Sequence, residues 1–146
     1  MTKQEKYNKF FMDVALRTAE NSYARRMKVG SVLVKDFRIV ATGWQGTPAG
    51  FDNACEEKID PTGSDEVSNL KTKQDVIHSE ANIIYFCAKH GIKTDGTTLY
   101  ITLSPCVNCA LAIIQAGIKR VYYHVPYRDD SGIKVLRKAG IMIDEL

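Results

Sequence analysis

The second half of the chain alternates strand-like and helix-like runs, and that alternation restricts the fold more than any other feature. The β-branched and aromatic runs TLYIT (98–102), RVYYHV (120–125) and IMID (141–144) are separated by two helical patterns, 106–117 and 131–140. Strands joined through helices pair in parallel, because the chain must cross back over the sheet before the next strand begins. Pro105 before the first of these helices and Gly117 at its end are start and stop signals. Upstream, VGSVLV (29–34) and RIVATGW (38–44) flank Lys35-Asp36-Phe37 and read as a hairpin. Apolar positions Phe10, Phe11, Val14, Ala15 and Ala19 predict a helix from residue 4 to about 23. Ala81, Ile84, Tyr85 and Ala88 predict another over 78–90. The expected architecture is a three-layer α/β/α fold: a central mixed five-stranded sheet with helices on both faces, in one domain spanning 1–146. Residues 56–75, EEKIDPTGSDEVSNLKTKQD, are polar and broken by Pro61 and Gly63. They read as a long surface loop, a kind of segment that often serves as a lid or an interface.

Composition excludes several classes of function. With 45% hydrophobic and 25% charged residues the chain is globular rather than disordered. Its net charge of +3, from 20 basic and 17 acidic residues, is too small for a strong nucleic-acid footprint. No apolar run approaches the roughly 18 to 20 residues of a membrane span, and the polar start MTKQEKYNKFF lacks the apolar core of a signal peptide. A cytoplasmic location is therefore expected. In a reducing compartment the four cysteines are expected to bind metal or remain free thiols.

Two short segments carry chemistry: His78-Ser79-Glu80 and Pro105-Cys106-Val107-Asn108-Cys109, with 27 residues between His78 and Cys106. Cysteines at i and i+3 in a first helical turn share a face and can reach one ion. The helix N-terminus also favours the thiolate, which is the ligating form. His78 on a neighbouring helix supplies a third ligand. A His/Cys/Cys set leaves a tetrahedral Zn²⁺ with one open position, as catalytic sites require. A lone CxxC also suits a redox pair or half of a structural zinc site, but a structural site needs a fourth ligand. Cys55, Cys87, His90 and His124 remain for that task, and none is paired at ligand spacing.

Residues two apart diverge on a regular helix. His78 and Glu80 can therefore address one cleft only if His78 stands at the helix start in non-helical geometry. Glu80 is then not a ligand but a neighbour of the metal-bound water, placed to accept its proton as a general base. Zinc with two thiolates is formally neutral and acidifies water less than an all-histidine site, so a nearby carboxylate compensates. The H-x-E and P-C-x-x-C pair is the spacing of zinc deaminases.

HSE, SPCVNC and GWQGTPAGFDNACE together resemble the deoxycytidylate (dCMP) deaminase family, of the cytidine-deaminase-like fold, from about Arg25 to the last strand. The HxE/PCxxC pair alone also suits tRNA adenosine deaminases and riboflavin-pathway deaminases; the GTPAGFDNxCE segment narrows the likeness. The resemblance implies hydrolytic deamination of dCMP to dUMP and ammonia. It also implies a homo-hexamer activated by dCTP and inhibited by dTTP, with Mg²⁺ accompanying the triphosphate.

The resemblance assigns the substrate phosphate to Arg26, a bidentate donor, with Tyr123 a second candidate, and the sugar hydroxyl to Asn53. Thr47 and the Ser104 backbone are expected pocket contacts. Lys28, Gln45 and Gly46 are expected near the effector. Glycines in the 43–53 loop let backbone approach a nucleotide closely, and Pro48 stiffens the turn. The family usually shows Gly-Tyr-Asn-Gly where this chain has Gly43-Trp44-Gln45-Gly46. Some members carry a second, structural zinc; residues 56–75 contain neither Cys nor His, so Cys55 is expected to be a free thiol. Two other readings compete on the same fold. One is a nucleic-acid base deaminase or binding module acting on tRNA or single-stranded DNA; the other is a non-catalytic, zinc-stabilised regulator.

Overall fold

The computed structural model describes residues 1–146. Helix α1 (Lys3–Ala19) begins at a reciprocal cap, in which the Glu5 amide donates to Thr2 Oγ1 at 3.1 Å and the Thr2 amide donates to Glu5 Oε2 at 2.7 Å. It ends earlier than the apolar pattern suggests. Asn21 and Ser22 turn the chain, and Ser22 Oγ accepts the Ala24 amide at 3.1 Å, offering the backbone an alternative to helix.

Strands β1 (Gly30–Lys35) and β2 (Arg38–Trp44) form an antiparallel hairpin. Its two-residue turn holds Asp36 and Phe37 at φ 50° and 60°, matching the twist of the flanking strands. Phe37 is held in this unusual conformation by Tyr7, edge-on at 5.2 Å, and by the Lys3 ammonium at 4.7 Å from its ring centre.

Residues 56–75 depart from the expected structureless loop. Strands β3 (Glu56–Lys58) and β4 (Leu70–Thr72) pair antiparallel as a separate two-stranded sheet, and a short 3₁₀ turn, Val67–Asn69, leads into β4. Strands of three residues are too short to show an alternating pattern, and Leu70 is their only buried apolar side chain. The loop between them closes on Asn69, whose side chain accepts the Asp60 amide at 3.0 Å and donates to the Ser64 carbonyl at 2.8 Å.

The remaining elements are α2 (Ser79–His90), β5 (Thr98–Leu103), α3 (Val107–Gln115), β6 (Arg120–Val125), α4 (Ser131–Lys138) and β7 (Met142–Glu145). The main sheet has the order β2-β1-β5-β6-β7. β1 is antiparallel to both β2 and β5, whereas β5, β6 and β7 are parallel. The sheet is thus mixed and five-stranded, as expected. Its period of two sorts the side chains by face. Val32, Val34, Tyr100 and Tyr122 pack with Phe11, Met12 and Ala15 of α1. Leu33, Leu99, Ile101, Val121 and Ile143 pack with Ile83 and Cys87 of α2, Ala110 and Ile113 of α3, and Ile133 and Leu136 of α4. The layers are therefore α1, sheet, and α2–α4.

α1 lies against the sheet without a side chain between them at Gly30, where a Cβ would strike the Ala15 carbonyl and the Ala19 amide. Gly30→Ala should lower the thermal midpoint by about 3–9 °C, from roughly 1–3 kcal/mol of overpacking. An unchanged midpoint would contradict this close approach.

Candidate active site

The carboxyl ends of β5 and β6 open onto a cleft of about 580 Å³, where ligands of open α/β sheets commonly bind. Two helices start beside it. His78 is the N-cap of α2, with φ −65° and ψ 153°, so its backbone is extended while Ser79 and Glu80 are already helical. Cys106 is likewise the extended N-cap of α3, and Cys109 falls in that helix's first turn. The His78 side chain makes no bond to its own helix, the Cys106 sulfur meets Cys109 in the first turn of α3, and His78 and Cys106 both line the cleft.

The residue between His78 and Glu80 faces the other way. Ser79 is fully buried; its hydroxyl lies 2.7 Å from Ser31 Oγ and donates to the Gly43 carbonyl at 3.0 Å. Asn82 Nδ2 adds a bond to the Trp44 carbonyl at 2.8 Å. The start of α2 is thereby pinned to β1 and β2, and His78 and Glu80 both line the cleft. The α3 turn is buttressed from behind: at Gly132, in the first turn of α4, a Cβ would overlap the Pro105 carbonyl.

His78 Nδ1 lies 3.6 Å from Cys106 Sγ and 3.4 Å from Cys109 Sγ, and the three ligand atoms are all within 4.8 Å of one another. Bond lengths of about 2.05 Å to nitrogen and 2.3 Å to sulfur at tetrahedral angles put such atoms about 3.6 Å apart. The donor set therefore fits Zn²⁺. Hydrogen bonds from Cys109 and His78 hold the Cys106 thiol down to about 4, so it is a thiolate at neutral pH. Donation to that thiolate, together with burial, raises the Cys109 thiol. The bond to Cys106 raises His78. Two sulfurs and an imidazole thus share protons in a space of the size a divalent cation needs.

Glu80 is 4% exposed. Burial pushes its carboxyl up to about 6, an effect opposed by its own backbone amide and by His78. It is not one of the three clustered ligand residues. A carboxyl poised near neutrality at a cleft floor suits a group that both accepts and returns a proton.

Of the other residues singled out in the sequence, Arg26, Gln45 and Ser104 line the cleft. Arg26 Nη1 donates to Thr72 Oγ1 at 3.2 Å. Ser104 is buried; its hydroxyl accepts the Tyr127 amide at 2.6 Å and its own amide donates to the Val125 carbonyl at 3.0 Å, tying the ends of β5 and β6 together. Gln45 turns inward, its Oε1 accepting the Val29 amide and its Nε2 donating to the Met27 carbonyl at 2.7 Å. Thr47, Asn53 and Tyr123 are not among the lining residues. Thr47 donates to the Asp52 carbonyl at 2.8 Å, Asn53 is exposed on the loop, and Tyr123 packs against the α2–α4 core. Lys28 is paired with Glu20 at 3.7 Å, and Gly46 bridges to Ile77.

Sequence reasoning missed five polar lining residues, Ser79, Lys71, Thr72, Tyr127 and Arg128. The last two follow a parallel strand directly, a position that the carboxyl-end rule could have flagged. Lys71 and Thr72 reach the cleft only because β4 pairs with β3, which no local pattern announces.

The family model for the cytidine and deoxycytidylate deaminase zinc-binding region matches residues 5–125. The chain is 34% identical over 141 residues to ComE operon protein 2 of Bacillus subtilis, covering 96% of this chain and 71% of that protein. It is 31% identical to the deoxycytidylate deaminase of Enterobacteria phage T4, over 90% of this chain and 86% of that enzyme. The crystal structure of dCMP deaminase from cyanophage S-TIM5 in complex with dCMP and dUMP superposes with a TM-score of 0.87. The identity there is 37%, over 100% of this chain and 99% of that one. A match across most of the chain, on a fold that brings the His/Cys/Cys group and a buried glutamate to one cleft, makes this protein a deaminase belonging to the cytidine and deoxycytidylate deaminase family.

Proposed function

We propose that the protein hydrolyses dCMP to dUMP and ammonia, with zinc held by His78, Cys106 and Cys109. The observation that carries this reading is a single cleft with Glu80, His78 and Cys106 in its wall, Cys109 within 4.8 Å of the His78 and Cys106 ligand atoms, and three cations, Arg26, Lys71 and Arg128, among its other lining residues. A pyrimidine needs the first group, and a dianionic phosphate needs the cations. Full-length similarity to the cyanophage dCMP deaminase supports the same substrate.

His78, Cys106 and Cys109 would hold the zinc, which when bound would supply Lewis acidity to an attacking water. The rest is the work of the chain. Glu80, as carboxylate, accepts a proton from the water that attacks C4 of the ring and delivers it to N3. It then takes the second proton from the new hydroxyl and passes it to the amino group. The C4–N bond breaks, ammonia leaves and C4 becomes a carbonyl. The Arg26 guanidinium, anchored by one bond to Thr72, has its remaining donors for phosphate. Arg128, whose guanidinium carbon lies 5.6 Å from the Tyr127 ring centre, and Lys71 add charge to the same cleft. Asn53, Thr47 and Tyr123 reach substrate in this scheme only through movement of the 43–53 loop or through a neighbouring copy.

Assembly and regulation complete the proposal. Tyr85 and Phe86 of α2 and Leu111 of α3 are large apolar side chains left exposed, which supports a homo-oligomer. The family resemblance supports a hexamer responding to dCTP and dTTP, with Trp44 and Gln45 standing where the family usually has Tyr and Asn. Lys28, Gln45 and Gly46 are already paired within the chain, so an effector touching them exchanges those bonds for its own.

Glu80→Gln should lower kcat by about 10²–10⁴ while the protein keeps its zinc; near-normal turnover would contradict the role of Glu80. Because the accepting form is the charged one and burial raises the carboxyl to about 6, kcat/KM should fall as pH drops through about 6. A profile flat from pH 5 to 7 would oppose this. Arg26→Ala should raise KM for dCMP about tenfold or more with little effect on deoxycytidine. Equal losses on both substrates would remove the phosphate role. At subsaturating dCMP, dCTP should raise the rate and dTTP lower it.

A further inference from the structure

Arg26 belongs to neither a helix nor a strand. It stands in the connection between α1 and β1, where no ladder fixes the backbone. Its placement must come from elsewhere, and the β3–β4 hairpin provides it. The Glu56 carboxylate accepts two successive backbone amides, that of Arg25 at 3.0 and 3.2 Å and that of Arg26 at 3.1 Å. Thr72 lies directly opposite Glu56 in the hairpin register, and its hydroxyl accepts Arg26 Nη1 at 3.2 Å. One cross-strand pair thus grips Arg26 at both ends, main chain and guanidinium. The Arg25 side chain adds a third tie, donating to the Asp65 carbonyl at 2.8 Å. On the far side of the same segment, Gln45 holds Met27 and Val29.

The division of labour matters chemically. Glu56 makes no ion pair with the Arg26 guanidinium; its carboxylate bonds the Arg25 and Arg26 backbone amides. A carboxylate bonded to the guanidinium would compete with a phosphate for the same donors. Glu56 instead stiffens the backbone and leaves most of the five N–H donors of Arg26 available.

We infer that Glu56 is a positioning residue that aims Arg26 into the cleft, so that the β3–β4 hairpin sets the protein's affinity for a phosphorylated substrate. This rests on the dCMP reading above. The hairpin is then a jaw of the substrate site, and the 56–75 segment gains a function that its polar sequence did not reveal.

The test is a double-mutant cycle on the zinc-loaded, full-length protein with dCMP. Glu56→Ala should raise KM about tenfold while kcat stays within about twofold. Glu56→Gln, which keeps one acceptor oxygen, should fall between wild type and Glu56→Ala. In an Arg26→Ala background, Glu56→Ala should have no further effect on KM, because the two act through one contact. Full additivity with Arg26→Ala, or a loss confined to kcat, overturns the inference and leaves the dCMP reading intact. A wild-type protein inactive on dCMP overturns both.

Discussion

The site depends on two helix N-termini brought together at the carboxyl end of β5. An α-helix leaves its first amides unpaired and its start positively polarised, and both α2 and α3 begin at this edge with residues that do not cap themselves. His78, Cys106 and Cys109 therefore meet in an electropositive corner that stabilises thiolate and favours a cation's ligands over their protons. The extended backbone of His78 performs a second task. It breaks the helical phase, so that residues two apart face the same cleft and Ser79 alone turns into the sheet. The buried Ser31–Ser79–Gly43 hydrogen bonds hold that arrangement in place.

The fold around the corner supplies complementary halves. The parallel strands deliver the α3 turn and the Tyr127–Arg128 wall, joined by Ser104. The antiparallel hairpin β1–β2 anchors the start of α2, and the connection before β1 carries Arg26. None of these elements closes the cleft alone. The small β3–β4 sheet completes it by contributing Lys71 and Thr72 and by bonding the Arg25–Arg26 backbone. The metal-ligand group and Glu80 thus sit on the three-layer body, and the appended hairpin supports Arg26, the residue proposed to take the phosphate.

The parts legible in the sequence were those governed by local rules. Strand–helix alternation after residue 98 pointed to the parallel strands, and Lys35-Asp36-Phe37 separated the hairpin strands, although Lys35 itself belongs to β1. The H-x-E spacing demanded an N-cap histidine, since no regular helix lets positions 78 and 80 share a face. What was not legible depends on pairing between distant segments. Three-residue strands carry no periodicity, so β3 and β4 read as loop, and Lys71 and Thr72 had no reason to be placed at a cleft. Gln45 was expected near the effector only through the resemblance of the glycine-rich loop. In the fold both ends of its side-chain amide are spent on Met27 and Val29. Helix α1 stopped early because Ser22 competes for the backbone, a local effect outweighed in the sequence pattern by the apolar stripe before it.

The central claim is that one cleft joins the metal-assisted deamination chemistry to recognition of a 5′-phosphate. Ammonia release from dCMP, CMP, deoxycytidine and dCTP, measured side by side on the zinc-loaded protein, tests it most directly. The account predicts the highest kcat/KM for dCMP, with deoxycytidine about tenfold or more below it. Deoxycytidine turned over as well as dCMP, or no ammonia from any of the four, would contradict it.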